Sequence, residues 1–144
     1  MSLEEQARRL VDALQTVIDG AQSADKAAAE RQNLSEQEIR VLCTVGRHGC
    51  PIMSGIAAAI RLSLSSVTGL IDRLHDKKLV RRDRSTEDRR VVQVELTEQG
   101  HALHQAALSG RIALARDLLR GLDSDEQRQL VELLGKAAAG LRRA

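Results

Sequence analysis

Ser63-Leu64-Ser65-Ser66-Val67-Thr68-Gly69-Leu70-Ile71-Asp72-Arg73-Leu74-His75-Asp76-Lys77-Lys78-Leu79-Val80-Arg81-Arg82-Asp83-Arg84-Ser85-Thr86-Glu87-Asp88-Arg89-Arg90-Val91-Val92-Gln93-Val94-Glu95-Leu96 changes its hydrophobic period part-way along. In the first third, Val67, Leu70, Ile71 and Leu74 recur at helical spacing. Ser63 stands where an N-cap is needed, so the spacing predicts a helix from Ser63 to about Lys77. After Lys78 the period becomes two, with Val92, Val94 and Leu96 alternating with Val91, Gln93 and Glu95. This predicts strands at Leu79–Asp83 and Arg90–Leu96 around the polar loop Arg84–Arg89, a β-hairpin. The hairpin region is basic: Lys77, Lys78, Arg81, Arg82, Arg84, Arg89 and Arg90 face only Asp83, Glu87 and Asp88, a local charge of +4 in a chain of net +2. On charge alone, a solvated hairpin explains this as well as a polyanion footprint does.

Two short helices precede this stretch. Ser35 and Glu38 form a capping-box pattern before Ile39, Leu42, Cys43 and Val45, and Gly46 and Gly49 bracket the end of that helix. Pro51 closes a turn, and an Ala-rich helix is predicted from about Met53 to Ile60. At the N-terminus, Ser2 and Glu5 open a helix whose apolar residues run from Leu3 to Ala21; Gly20 either weakens or ends it, and Ser23–Gln32 is able to continue it. After the hairpin, a helix is predicted from about Thr97 to Gly121, with Gly100 and Gly110 as weak points. The last helix is expected to start with Ser124 as cap and Gln127 three residues on, with Leu130, Leu133, Leu134, Ala137, Ala138 and Leu141 as one stripe. The fold class is mainly α with a small β-hairpin. The strong apolar stripes of the end helices need a cover, either each other or a second copy.

Composition narrows the function. With 144 residues and 42% apolar content, the chain suits one domain, 1–144. No apolar run spans a bilayer and the start is acidic, so a soluble, cytoplasmic protein without a membrane partner is expected. Aromatic residues are absent, which argues against RNA and single-strand modules that stack bases on aromatic rings. No Gly-rich phosphate loop, nucleophile elbow or HExxH helix is present, so no enzyme and no cofactor is expected. A helical module whose basic hairpin binds an acidic protein is the remaining competitor.

Two short helices joined by a tight turn, the second rich in small polar residues, resemble a helix-turn-helix. Ser63, Ser65, Ser66 and Thr68 at the helix start, and Arg73 further on, suit a major groove. Short hydroxyl side chains permit close approach and bond phosphates or base edges. The alternative is that they are cap and surface serines. Arg84, Arg89 and Arg90 at the hairpin tip suit the narrow, electronegative minor groove. Asp88 beside them makes sense if it fixes an arginine by a charge-assisted bond.

At these residues the chain resembles the MarR family of bacterial transcriptional regulators. The resemblance covers nearly the whole chain. It rests on Leu34-Ser35-Glu36-Gln37, Ser66-Val67-Thr68, Ile71-Asp72-Arg73-Leu74, Lys78-Leu79-Val80-Arg81-Arg82, Glu87-Asp88-Arg89-Arg90 and Leu96-Thr97-Glu98-Gln99-Gly100, in that order and spacing. It implies a winged helix-turn-helix lobe at 34–96, flanked by dimerisation helices at 1–33 and 97–144. It also implies a homodimer on a pseudo-palindromic double-stranded operator, acting as a repressor that a small ligand or oxidation releases. By position, Arg90 matches the minor-groove wing arginine, Asp88 its orienting acid, and Ser65, Ser66 and Thr68 the recognition-helix contacts. The implied effector pocket would be lined by Leu14, Val17, Ile18, Leu42 and Leu103. Arg61, Leu64 and Ile52 depart from the pattern, standing where a turn glycine, a polar or basic residue and a hydroxyl cap are common.

The sequence holds two cysteines, Cys43 on an apolar helix face and Cys50 in a turn. The first reads as a core residue, whereas oxidant sensing by the second stays open. His101 and His104 lie three apart on one helix, with His48 elsewhere. No carboxylate or cysteine cluster accompanies them, so no metal site is assigned.

Overall fold

The computed structural model describes residues 1–143. Its elements run α1 (Leu3–Gln32), α2 (Glu36–His48), α3 (Met53–Ile60), α4 (Leu64–Asp76), β1 (Val80–Arg84), β2 (Val92–Leu96), α5 (Glu98–Arg120) and α6 (Ser124–Arg143). The fold is mainly helical with one antiparallel hairpin, as the periodicity predicts. The chain divides into two compact units, Met1–Arg111 and Ile112–Ala144, with the boundary inside α5.

The first unit holds the core. Ile39, Leu42 and Val45 of α2, Ile56 of α3, Val67, Leu70, Ile71 and Leu74 of α4, and Val94 of β2 are all essentially inaccessible to water. These are the positions that the period-3.6 and period-2 patterns select, because only one stripe of each element faces inward. The hairpin pairs Val80 with Leu96 and Arg84 with Val92. Each strand lies one or two residues from its expected place: β1 includes Arg84, and β2 begins at Val92 because Val91 is drawn into the loop. There Val91 donates to Asp88 O while its carbonyl accepts from Ser85 N. Sequence reading also misses a short third edge, in which Ile52 bridges to Gln93 and Pro51 O accepts from Val94 N at 2.9 Å.

Local chemistry sets the ends. Ser2, Ser35 and Ser63 each accept the backbone N–H three residues on, at 3.0–3.1 Å. The two expected capping boxes are only half formed, because the Glu5 and Glu38 carboxylates pair with arginine or lysine instead. Gly20 does not interrupt α1, which runs unbroken to an Asn33 cap in the left-handed conformation. Ile52 caps α3 with no side-chain bond. Arg61, at the turn between α3 and α4, adopts φ 56° and ψ 44°, the left-handed region that glycine takes freely. A non-glycine residue there costs about 1 kcal/mol. Gly100 is required by contact: a Cβ on it would stand 2.0 Å from Leu79 O, the carbonyl that accepts Thr97 N at the start of α5.

In the second unit the cap of α6 is Asp123, not Ser124. Asp123 Oδ1 accepts from Asp125 N and Glu126 N, and Glu126 Oε2 accepts from Asp123 N, a complete reciprocal box one residue earlier than expected. Gln127, expected as part of that box, instead donates to Leu119 O and Leu122 O at the end of α5. No residue of α6 is buried, and Val131, Leu133, Leu134 and Leu141 are half to four-fifths exposed. Among the described residues, no single helix is long and apolar enough to cross a membrane.

Candidate nucleic-acid interface

The chain turns through 108° between α3 and α4, within the range of about 90–120° of helix-turn-helix pairs. Three apolar anchors on each side of the turn fix this geometry. Ile56, Ala57 and Ile60 of α3 and Val67, Leu70 and Ile71 of α4 are buried. What remains outside on α4 is the polar face. Ser63, Ser65, Ser66, Thr68 and Arg73 are all exposed there, as the sequence predicts. Three of the hydroxyls are already engaged. Ser66 Oγ accepts from Ser63 Oγ at 2.9 Å, and Thr68 Oγ1 donates to Leu64 O at 2.9 Å. Thr68 therefore presents its methyl group and a lone pair, a surface suited to a thymine methyl. Leu64, half exposed, adds an apolar surface to the same end of the helix.

The hairpin carries the second half. Asp88 Oδ1 accepts both the backbone N and Nε of Arg90, at 3.0 and 3.1 Å, and Oδ2 accepts Nη2 at 3.2 Å. The Arg90 side chain is nonetheless 91% exposed, so the carboxylate fixes its direction without covering it. The paired guanidinium and backbone N–H hold the Asp88 carboxyl below its ordinary range, in that order of strength. Ser85 Oγ accepts from Glu87 N and Asp88 N, shaping the turn that delivers Asp88. Arg89 is exposed beside it. Arg84 is placed differently from a free contact residue: its Nη1 donates to Arg89 O at 2.8 Å and closes the loop. Arg82 pairs with Asp72 and so ties β1 to α4. Between α4 and the hairpin lies an open cleft of about 590 Å³, bordered by Leu64, Thr68, Arg82, Arg84, Arg90 and Val92.

The five residues expected to line an effector pocket are not drawn together around one opening. Leu42 is wholly buried in the core and Leu103 packs half-buried against it. Leu14 and Ile18 are exposed on α1, Val17 is half-buried, and only Ile18 borders the cleft of about 850 Å³ beside α1 and α2. Cys43 is buried and its thiol is pushed up by desolvation, against an opposing pull from Arg111; Cys50 is exposed. Arg111 makes a two-pronged pair with Asp25 at 3.0 and 3.1 Å, joining residues 86 apart in sequence. His104 lies against Gly46, and its Nδ1 is buried without a partner. Among the described residues, no group of three or more His, Cys, Asp or Glu is placed to hold a metal ion.

The sequence model of the MarR family matches residues 34–92, the helix-turn-helix and most of its wing. The HTH-type transcriptional repressor MdtR of Bacillus subtilis is 31% identical over 125 residues, which cover 87% of this chain and 81% of that protein. The chain belongs to the MarR family. It is therefore a transcriptional regulator of the DNA-binding, winged-helix kind. Among solved structures, the YusO protein from B. subtilis is similar with a TM-score of 0.67 at 29% identity, covering 96% of this chain and 99% of that one. A mutant MarR from E. coli, complexed with operator DNA, shares the fold with a TM-score of 0.68 at 23% identity, covering 95% of this chain and 99% of that one.

Two features of the site escaped sequence reasoning. The Arg82–Asp72 pair joins strand to helix across ten residues, too far for a local spacing rule. Glu38 engages Arg73 of α4 and Lys77, which caps its end. Its signal was available: it lies four residues before Leu42 and seven before Val45, so a carboxylate occupies an apolar stripe position.

Proposed function

We propose that this regulator is a repressor acting as a homodimer on a pseudo-palindromic operator. Its lobe at 34–96 binds the DNA, and its helices at 1–33 and 97–144 form the dimer. Ser65, Ser66 and Thr68 meet the major groove with Arg73, while Arg90, oriented by Asp88 and flanked by Arg89, enters the minor groove. The observation that carries this reading is the Asp88–Arg90 clamp: a guanidinium bonded along one edge, 91% exposed, at the tip of a hairpin beside a small polar helix face. Pre-orientation removes part of the entropy that a free arginine loses on docking. The operator-bound structure of the E. coli relative supports the choice of double-stranded DNA as partner. The exposed apolar residues of α1 and α6 support the dimer, since Leu3, Leu10, Val11, Leu133, Leu134 and Leu141 are otherwise left in water. Release follows from a small ligand or from oxidation; for oxidation, Cys50 is the accessible thiol.

A mobility-shift titration of DNA flanking the chain's own gene tests the reading. Affinity is expected to fall steeply with salt, as phosphate contacts require. Arg90→Ala is expected to weaken binding by about ten- to a hundredfold, the size of a lost charge-assisted contact, while the dimer persists. Salt-insensitive binding, or unchanged affinity in the variant, refutes the wing assignment.

A further inference from the structure

Among the described residues, Glu38 is the one charged residue that the core takes in: its side chain is 6% exposed, at the start of α2. A buried carboxylate needs partners, and it has two: Arg73 of α4 and Lys77, the residue that caps the end of that helix. Lys77 Nζ donates to Oε2 at 2.8 Å and also to Asn33 O at 3.2 Å, so its charge is consumed within the protein. That leaves Oε1 to Arg73, whose Nε lies 3.6 Å away while its side chain stays 57% exposed. The guanidinium has a definite course beyond that contact. Nη1 extends over Gly69, where an added Cβ would be 3.9 Å from it, and so lies back along the face that carries Ser65 and Ser66. Arg73 thus has a buried acid at its inner edge and open space at its outer one, through one charge contact at 3.6 Å where Asp88 makes three hydrogen bonds to Arg90.

We propose that Glu38 is a positioning residue for DNA recognition: it aims the Arg73 guanidinium along the exposed face of α4, with Lys77 as the second cation paired to the buried carboxylate. This deepens the DNA-binding reading and rests on it. A lysine in place of Arg73 would keep the charge but would not span Glu38 and the space above Gly69, because an ammonium is a point donor where a guanidinium is a fork.

The test uses a duplex selected from random-sequence DNA by the full-length protein, with affinity read by fluorescence anisotropy. If the unaltered protein selects no sequence, the DNA-binding reading itself fails. If it does select one, Glu38→Gln is expected to weaken binding several-fold in the unaltered background and to add nothing in an Arg73→Ala background. Arg73→Lys is expected to lose as much affinity as Arg73→Ala. The inference is overturned by an equal cost of Glu38→Gln in both backgrounds, by full affinity in Arg73→Lys, or by full affinity in Arg73→Ala. Arg73 is exposed, so its variants stay informative even where Glu38→Gln disturbs folding.

Discussion

The lobe at 34–96 and the helix at Ser124–Arg143 spend their apolar residues in opposite ways. In the lobe, Ile39, Leu42, Leu70, Ile71 and Leu74 are at most 1% exposed. In α6 none is buried, and Leu133 and Leu141 stand 63% and 80% exposed. Both segments have regular helical periodicity, so the period alone does not distinguish them. The lobe offers several elements at different angles to one core, whereas a lone amphipathic helix has only one stripe to offer. The lobe is stabilised from within, whereas the apolar stripe of α6 is free for the partner that the proposed dimer would supply.

The most drastic way to break this contrast is to remove α6. Truncation after Leu122 is expected to abolish dimerisation at micromolar concentration, as read by sedimentation, while the lobe retains its helical circular dichroism. A truncated chain that remains a dimer would refute the assignment. Next in size, Ile71→Ala deletes a fully buried side chain and is expected to cost about 2–5 kcal/mol by chemical denaturation. The matched change Leu141→Ala should cost well under half of that at concentrations where the chain is monomeric. Gly100→Ala probes the seam where α5 meets the turn after α4. Its Cβ would collide with the Leu79 carbonyl, a backbone atom with little room to yield. A loss of about 1–3 kcal/mol is expected.

The smallest effect concerns His104 on α5. Burial holds its pKa below the ordinary 6.5, and Arg111 and His101 add to this. A depressed histidine favours the neutral form in the folded state. Its contribution is present above the unfolded value and is lost as pH falls through the lowered folded value. Denaturation midpoints should therefore decline as pH drops below about 6.5, and His104→Leu should flatten that decline. An identical pH profile in the variant would show that the imidazole is not the group responsible.

Much of the site was legible because its signals are short-range. Ser63 caps α4, Asp88 sits two residues from Arg90, and Val94 and Leu96 alternate inward, all within reach of spacing rules. Arg84 was legible as a wing arginine but not as the residue that closes the wing loop, since that depends on where Arg89 O turns. Spacing rules put the cap of α6 one residue late because Asp123 and Ser124 are both good caps, and the choice between them goes with Gln127 reaching back to Leu119 and Leu122.

The helices, the hairpin, the buried stripes and the basic tip are all written in the order of residues, because periodicity and capping act between positions three or four apart. It takes the packed fold to show that Arg61 adopts a left-handed turn, that Gly100 admits the Leu79 carbonyl, and that Glu38 reaches Lys77 across 39 residues. These are matters of which surfaces meet. A buried carboxylate finds its cations by packing rather than by spacing, and that packing is what aims Arg73.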